Sequence, residues 1–569
     1  MTALLGEFAD AGVLGLADTH VARRLCALAN ETDDTVALAV GLLVAALRNG
    51  SVCVDLRLVA ENHDQAPQLA WPEPAAWLAA VRASPLTGEP PVLRFLSDGS
   101  TNLLYLDRYW LEEQQVCRDV SARLTGTQPA QPVPDLGRLF PGKFSEQRAA
   151  AEVALGQRLT ILTGGPGTGK TTTVARLLAS IAEQADLAGD VPPRMALAAP
   201  TGKAAARLAE AVQSEIGELA AVDRQRLAGL HATTLHRLLG SRPDTSSRFR
   251  HHRDNRLPHD VIVVDETSMV SLTMMARLLE AVRPGARLLL VGDPDQLASV
   301  DAGAVLADLV DGLGHGAVVE LKTPHRFGAA IGALAQGIRH GDADVVLELL
   351  SAGGESIEWI QSEDPSGHLH TTLAARAVAL RQAALLGDAQ AAQSILDGHR
   401  LLCAHRHGPF GVTQWNRRVE RWLAEETGAP IWSQWYAGRP VLVTANDYGL
   451  KIYNGDTGVV VASPEGLRAH FGSLQGSLHF ATSRLPEVDT MHAMTIHKSQ
   501  GSQADEVTVL LPPEESRLLT RELFYTAVTR AKTKVRIVGP ESAVRAAIGR
   551  RALRASGLAR RLGADTAPR

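Results

Sequence analysis

Cysteine, lysine and aromatic residues are all scarce in this 569-residue chain. The four cysteines, Cys26, Cys53, Cys117 and Cys403, stand far apart with no C-x-x-C pair, which argues against a zinc or iron–sulfur site and fits a reducing, cytoplasmic location. Aromatics make up only 4 %, so any grip on nucleobases by stacking must rest on few side chains. Positive charge is not in excess: the net charge is −5, which removes a general basic footprint but leaves room for a locally positive groove. No apolar run is long enough to cross a bilayer. Val36 to Leu47 reads as a buried helix, and the start of the chain lacks the pattern of a signal peptide. His251-His252 and His405-x-His407 have no Cys or carboxylate partner at ligand spacing and read as surface histidines.

The lysine shortage is informative. Eight lysines stand beside 49 arginines, so generic positive charge is written as arginine. Lys170, Lys203, Lys498 and Lys532 all fall inside short motifs. A compact ammonium is not exchangeable for a guanidinium where it must enter a phosphate cradle. Lys170 ends the stretch Gly164-Gly165-Pro166-Gly167-Thr168-Gly169-Lys170-Thr171-Thr172, which has the G-x-x-x-x-G-K-T form of a phosphate-binding loop. The glycines let successive backbone N–H groups face phosphate oxygens, Lys170 supplies charge for the β and γ phosphates, and Thr171 would hold Mg²⁺. An apolar run, Arg158–Leu162, precedes the loop, and Val174, Leu177, Leu178 and Ile181 follow it at helical spacing, as the motif requires. ATP and Mg²⁺ are the implied ligands.

Two further apolar runs end in acids. Val261–Val264 leads into Asp265-Glu266, a pair placed to hold the cation and to activate water, and Leu288–Val291 leads into a polar cluster whose Gln296 would sense the γ-phosphate. Taken in order, these segments resemble the superfamily one helicases from about residue 144 to 532. The resemblance implies that Gln147 reads adenine and that Tyr525 adjoins the nucleotide. It makes Arg326 and Arg530 arginine fingers, and Thr201, Lys203, Thr233, His236, Thr495, His497 and Lys498 contacts to single-stranded DNA. Three more stretches, 104–110, 249–260 and 443–456, are similar to the RecD family, the alpha subunits of RecBCD-type helicase-nucleases. That likeness implies 5′ to 3′ polarity, RecB-like and RecC-like partner subunits, and duplex-end and single-stranded DNA as substrates. No nuclease constellation is present, so cutting would belong to a partner. A stand-alone RecD-like helicase, whose extra N-terminal length is missing here, and a non-motor ATPase switch are the alternatives.

The expected architecture is α/β with two RecA-like parallel-sheet lobes. A mainly helical N-terminal domain spans residues 1–135 and closes on a linker at 127–134. Lobe one covers 141–320 with a pin-like insertion near 241–260, and strands at 158, 195, 261 and 288 alternate with helices there. Lobe two covers 321–550, has strands near 401, 506 and 534, and carries a small SH3-like β-barrel inserted at about 434–490; a tail runs over 551–569. Tyr105, Tyr109 and Trp110 are expected on one helical face; the pattern alone favours core packing there, and the resemblance implies docking on a RecC-like subunit. Arg550, Arg551, Arg554, Arg560 and Arg561 are expected on a solvated helix.

Overall fold

Continuous apolar runs that end in polar clusters suit parallel strands covered on both faces. In the computed structural model, which describes residues 3–59, 69–97, 101–125, 132, 134–242, 245–323, 328–362, 364–447, 449–472 and 478–566, all four runs expected in lobe one are strands: Leu159–Gly164, Met195–Ala199, Val261–Val264 and Arg287–Gly292. Val318–Leu321 and Ala232–Thr234 complete a six-stranded parallel sheet, in the spatial order 318–321, 159–164, 287–292, 261–264, 195–199, 232–234. The helix Lys170–Ala188 begins at Gly169, whose φ of 87° turns the chain sharply, and it lays Val174, Leu177, Leu178 and Ile181 against the sheet. Lobe two is a five-stranded parallel sheet in the order Ile357–Ile360, Ala531–Val538, Ala504–Leu510, His399–Cys403, Ala493–Thr495.

The insertion between strands 399–403 and 493–495 is a five-stranded antiparallel sheet in the order Leu478–Ala481, Gly466–Phe471, Thr457–Ser463, Pro440–Val443, Val488–Thr490. Its first and last strands share no pairing among the described residues, so barrel closure is not confirmed. A short hairpin, Ser241–Arg242 with Thr245–Phe249, stands at the expected pin. The expected linker lies, apart from residues 132 and 134, outside the described residues.

The N-terminal region has its own core around the helix Asp34–Arg48, buried at every position from Val36 to Val44. It is not a detached module, however. Val52, Cys53, Leu103, Tyr105, Val116 and Val120 share one hydrophobic cluster with lobe-one residues such as Leu272, Met275 and Leu279. This bears out the core-packing reading at Tyr105 and corrects the single helical face. Residues 102–106 form a strand, and the helix begins only at Asp107, so Tyr105 points into the core and is fully buried. Its neighbour Trp110 is half-buried beneath the Arg94 and Arg561 guanidinium groups, 4.9 and 5.3 Å from its ring.

The arginine-rich C-terminus is likewise no single solvated helix. Glu541–Gly549 and Leu558–Thr566 are separate helices, and the chain between them crosses from lobe two back to lobe one. Val52 N donates to Ala555 O at 2.9 Å, Arg554 Nη1 donates to Ser299 O at 2.7 Å, and Leu558 and Leu562 are buried in the lobe-one core. Arg561 Nε pairs at 3.2 Å with Glu113, a carboxylate that burial raises and Arg561 lowers. Both lobes are therefore tied together at a second crossing, far from the nucleotide motifs in sequence.

Candidate nucleotide and nucleic-acid site

In parallel sheets flanked by helices, ligands gather at the carboxyl ends of the strands, and the functional candidates of both lobes follow that rule. A cleft of about 460 Å³ between the lobes is lined by Phe144, Gln147, Gly167, Lys170, Thr171, Thr172, Asp265, Glu266, Gln296 and Arg530. They come from five separate segments of the chain: 144–147, 167–172, 265–266, 296 and 530. Gly167 and Gly169, both at positive φ, fold the loop after strand 159–164 so that Lys170 Nζ donates to Gly164 O at 2.6 Å and to Gly165 O at 3.0 Å. Gln147 donates to Thr168 O at 3.3 Å, and Phe144 lies under the cations of Lys143 and Arg176, so these two residues build the far end of the cleft. Pro166 also lines it.

At the end of strand 261–264, Glu266 sits in the left-handed region with φ 50°, unusual for a residue with a side chain. The turn brings Glu266 N within 2.8 Å of Asp265 Oδ1. Burial and the neighbouring Glu266 push Asp265 up to about 6, partly opposed by Lys170. Surplus negative charge of that kind, beside the Thr171 hydroxyl, fits a hard divalent cation. The described residues contain no cluster of three or more His, Cys, Asp or Glu able to form a complete protein cage. One carboxylate and one hydroxyl, with phosphate and water supplying the rest, is the usual way Mg²⁺ is held at a nucleotide. When bound, Mg²⁺ would screen phosphate charge; the chain's own part is to place the Asp265 carboxyl and the Thr171 hydroxyl on the same cleft.

Strand 287–292 ends in the joint between lobes. Asp293 Oδ2 accepts from Gln296 Nε2 at 3.0 Å and from the Tyr525 hydroxyl at 3.1 Å. Arg530 Nη2 donates to Gln296 Oε1 at 3.0 Å, and its Nε donates to Thr526 O at 3.0 Å. Leu297 N donates to Thr526 Oγ1 at 2.9 Å, and Gln500 Nε2 donates to Leu297 O at 2.8 Å. Asp293, Gln500 and Thr526 were missed as site residues from sequence. Asp293 carried the same signal as Asp265, an acid ending a buried strand. Tyr525 stands at the phosphate loop, since a Cβ at Gly165 would lie 3.1 Å from its hydroxyl. Arg326 lies outside the described residues; Glu146 accepts from the Lys322 and Thr323 backbone N–H groups just before it, at 3.0 and 3.2 Å.

The expected DNA contacts stand at the ends of the outer strands. Thr201 caps the helix Gly202–Gly217, Thr233 lies on strand 232–234, and His236 meets Phe249 edge-on at 5.8 Å. Thr495 caps the helix Ile496–Ser499, which bears His497 and Lys498. Burial lowers both His236 and His497, with Arg554 adding to the effect at His497. The two lysines hold something the sequence did not reveal. A turn of the insertion, 453–456, packs on them: Lys203 Nζ donates to Gly455 O at 2.8 Å and Lys498 Nζ to Asn454 Oδ1 at 2.6 Å. The ring of Tyr453 lies so close to Gly202 that a Cβ there would be 2.5 Å from it. Burial, with Arg207 nearby, lowers Lys203 to about 7, and burial lowers Lys498 as well; both side chains are half-buried, and the Lys203 hydrogen bond is the more enclosed of the two. Lys203 is thus held against the insertion with its charge disfavoured, a poor state for a phosphate contact. In a salt titration of single-strand affinity at pH 7.5, Lys498→Ala is expected to flatten the log–log slope by about 0.7, one phosphate's worth, and Lys203→Ala to leave it unchanged. Equal flattening by both would mean that the 453–456 turn leaves when DNA binds.

Three family models match the chain: the N-terminal domain of RecBCD enzyme subunit RecD over residues 10–96, an AAA domain over 144–362, and a UvrD-like helicase C-terminal domain over 490–538. The chain is 70 % identical to RecBCD enzyme subunit RecD of Mycolicibacterium smegmatis over 559 residues, covering 98 % of this chain and 99 % of that one. The chain belongs to the RecD family. Other relatives are the RecD subunit of Mycobacterium tuberculosis, 66 % identical with 98 % and 96 % of the two chains covered, and the ATP-dependent RecD2 DNA helicase of Deinococcus radiodurans, 34 % identical over 72 % of this chain and 51 % of that one. Bacteroides Pif1 bound to single-stranded DNA covers 69 % of this chain and 91 % of its own, at 18 % identity and a TM-score of 0.39. Membership of the RecD family accounts for the order of motifs along the chain.

Proposed function

We propose that this chain is the RecD-type motor of a three-subunit helicase-nuclease: an ATP-hydrolysing DNA helicase that moves 5′ to 3′ along single-stranded DNA, with RecB-like and RecC-like partners, in the cytoplasm, during double-strand-break repair and recombination. The observation that carries the reading is the hydrogen-bonded line Asp293–Gln296–Arg530. It joins the strand end beside the phosphate loop to a fully buried arginine of the second lobe, within one chain.

ATP would enter with adenine near Phe144 and Gln147 and phosphates on the loop 164–172. Lys170 neutralises the β and γ oxygens, Asp265 and Thr171 hold Mg²⁺, and Glu266 accepts the proton of the attacking water. Gln296 reports the γ-phosphate to Arg530, and the family resemblance makes Arg326 a second finger. Lobe closure then requires the nucleotide, and release follows its loss. Because Thr201, Thr233 and His236 stand on lobe one and Thr495, His497 and Lys498 on lobe two, each cycle moves one grip past the other.

Polarity and partnership are tested together. Assembled with its RecB-like and RecC-like partners, the wild-type chain is expected to open a 5′-tailed duplex at least tenfold faster than a 3′-tailed one, with the RecB-like motor inactivated so that only this one reports. Preference for the 3′ tail, or failure to co-purify with both partners, contradicts the proposal.

A further inference from the structure

One half-buried cation at the cleft has no role in the mechanism above. Arg207 lies on the helix Gly202–Gly217, whose Ala204, Arg207, Leu208 and Ala211 recur at the spacing of one helical face and all line the cleft. Among the described residues its guanidinium makes no hydrogen bond and no ion pair within 4 Å, whereas Lys170 is engaged with Gly164 and Gly165, Arg530 with Gln296 and Thr526, and Lys143 with the Phe144 ring. The carboxylates that act on Arg207, Glu210 and Asp397, do so only at longer range. Asp397 is already paired with Arg400 at 2.8 Å.

Its surroundings are cationic. Arg530 and Arg400 both disfavour its charge, and it in turn disfavours the charge on Lys203. Lobe two closes over the same place, for Gly501 and Gln503 line the cleft and Ala204, one turn before Arg207, is the neighbour of Gly501. An unpaired guanidinium held against other cations at a lobe seam costs free energy unless an anion arrives. We propose that Arg207 is a nucleotide-binding residue that contacts the γ-phosphate of ATP from lobe one, opposite Arg530, so that it distinguishes ATP from ADP. The adenine end is ruled out by position: Phe144 and Gln147 occupy it, whereas the guanidinium nearest to Arg207 in effect is the finger Arg530.

This rests on the ATP-driven reading above, and the test separates the two. In full-length chain, affinities for fluorescent ATPγS and ADP are measured in parallel for wild type, Arg207→Gln and Arg207→Lys, with single-strand affinity followed against salt. Removing one charged hydrogen-bonding partner of the γ-phosphate is expected to weaken ATPγS by about ten- to a hundredfold, to leave ADP within about twofold, and to let Arg207→Lys recover part of the loss. Unchanged ADP affinity also shows that the variant is folded. If ATPγS and ADP weaken equally, or neither changes, Arg207 does not touch the γ-phosphate and the inference falls while the ATPase reading stands. If instead the DNA salt slope drops by about 0.7 with the ATPγS-to-ADP ratio intact, the anion is a DNA phosphate and the inference also falls. A wild-type chain without a preference for ATPγS or DNA-stimulated hydrolysis would remove the ATPase reading itself.

Discussion

Arg530→Ala is expected to lower DNA-stimulated ATP hydrolysis by about 10³-fold or more while ATP binding changes little, because a finger interacts mainly with charge that develops as the γ-phosphoryl leaves. Its position makes the effect specific. The guanidinium is held by Thr526 O on one side and Gln296 Oε1 on the other, so the side chain is aimed across the lobe boundary. Gln296→Ala frees one side of that hold and is expected to give a smaller loss, on the order of 10- to 100-fold, since Arg530 retains its Thr526 anchor. Steady-state turnover and nucleotide affinity, measured on the same preparations, distinguish lost chemistry from lost binding. If Arg530→Ala weakens ATP binding as much as it slows turnover, the residue is part of the ground-state cradle and the finger role is wrong.

Glu266→Gln is expected to have an effect of similar size by a different route. The isosteric amide cannot take a proton from water, so hydrolysis should fall by about 10²- to 10⁴-fold, while the loop 164–172 and Asp265 keep the ATP complex intact. The structure adds a second consequence. Glu266 is the largest charged neighbour raising Asp265, so the amide should leave Asp265 ionised more readily and the cation held at least as well. Single-turnover hydrolysis, together with ATP affinity at several Mg²⁺ concentrations, checks both. Turnover like that of wild type would remove Glu266 from the role of base.

The parts of this site that the sequence disclosed are those whose chemistry demands fixed spacing. A phosphate cradle needs glycines and a lysine within one turn, and an acid pair ending a buried strand must lie where strands meet ligand, so Lys170, Asp265 and Glu266 were legible and the structure brings them to one cleft. What was hidden depends on contacts between residues far apart in the chain. The Tyr525 hydroxyl on Asp293 and the Gln500 amide on Leu297 each join residues more than 200 positions apart. Nothing local marks Gly455 as the acceptor for Lys203. The aromatics were placed on one helical face because a helical period was carried across the boundary at Leu106, where a strand gives way to a helix and alternate residues change sides. The arginine-rich tail was misread because local pattern cannot show that Glu113 waits in the core for Arg561.

The central claim is that one chain supplies both halves of its ATP site, and complementation tests it most directly. A chain carrying Arg530→Ala is mixed with one carrying Lys170→Ala, and ATPase activity and unwinding of a 5′-tailed duplex are followed against the mixing ratio. With the site closed in cis by the Asp293–Gln296–Arg530 line, activity should remain at the level of the separate variants at every ratio. Recovery on mixing, with a maximum near equal amounts, would mean that the finger reaches a neighbouring subunit's nucleotide, and would contradict the two-lobe motor.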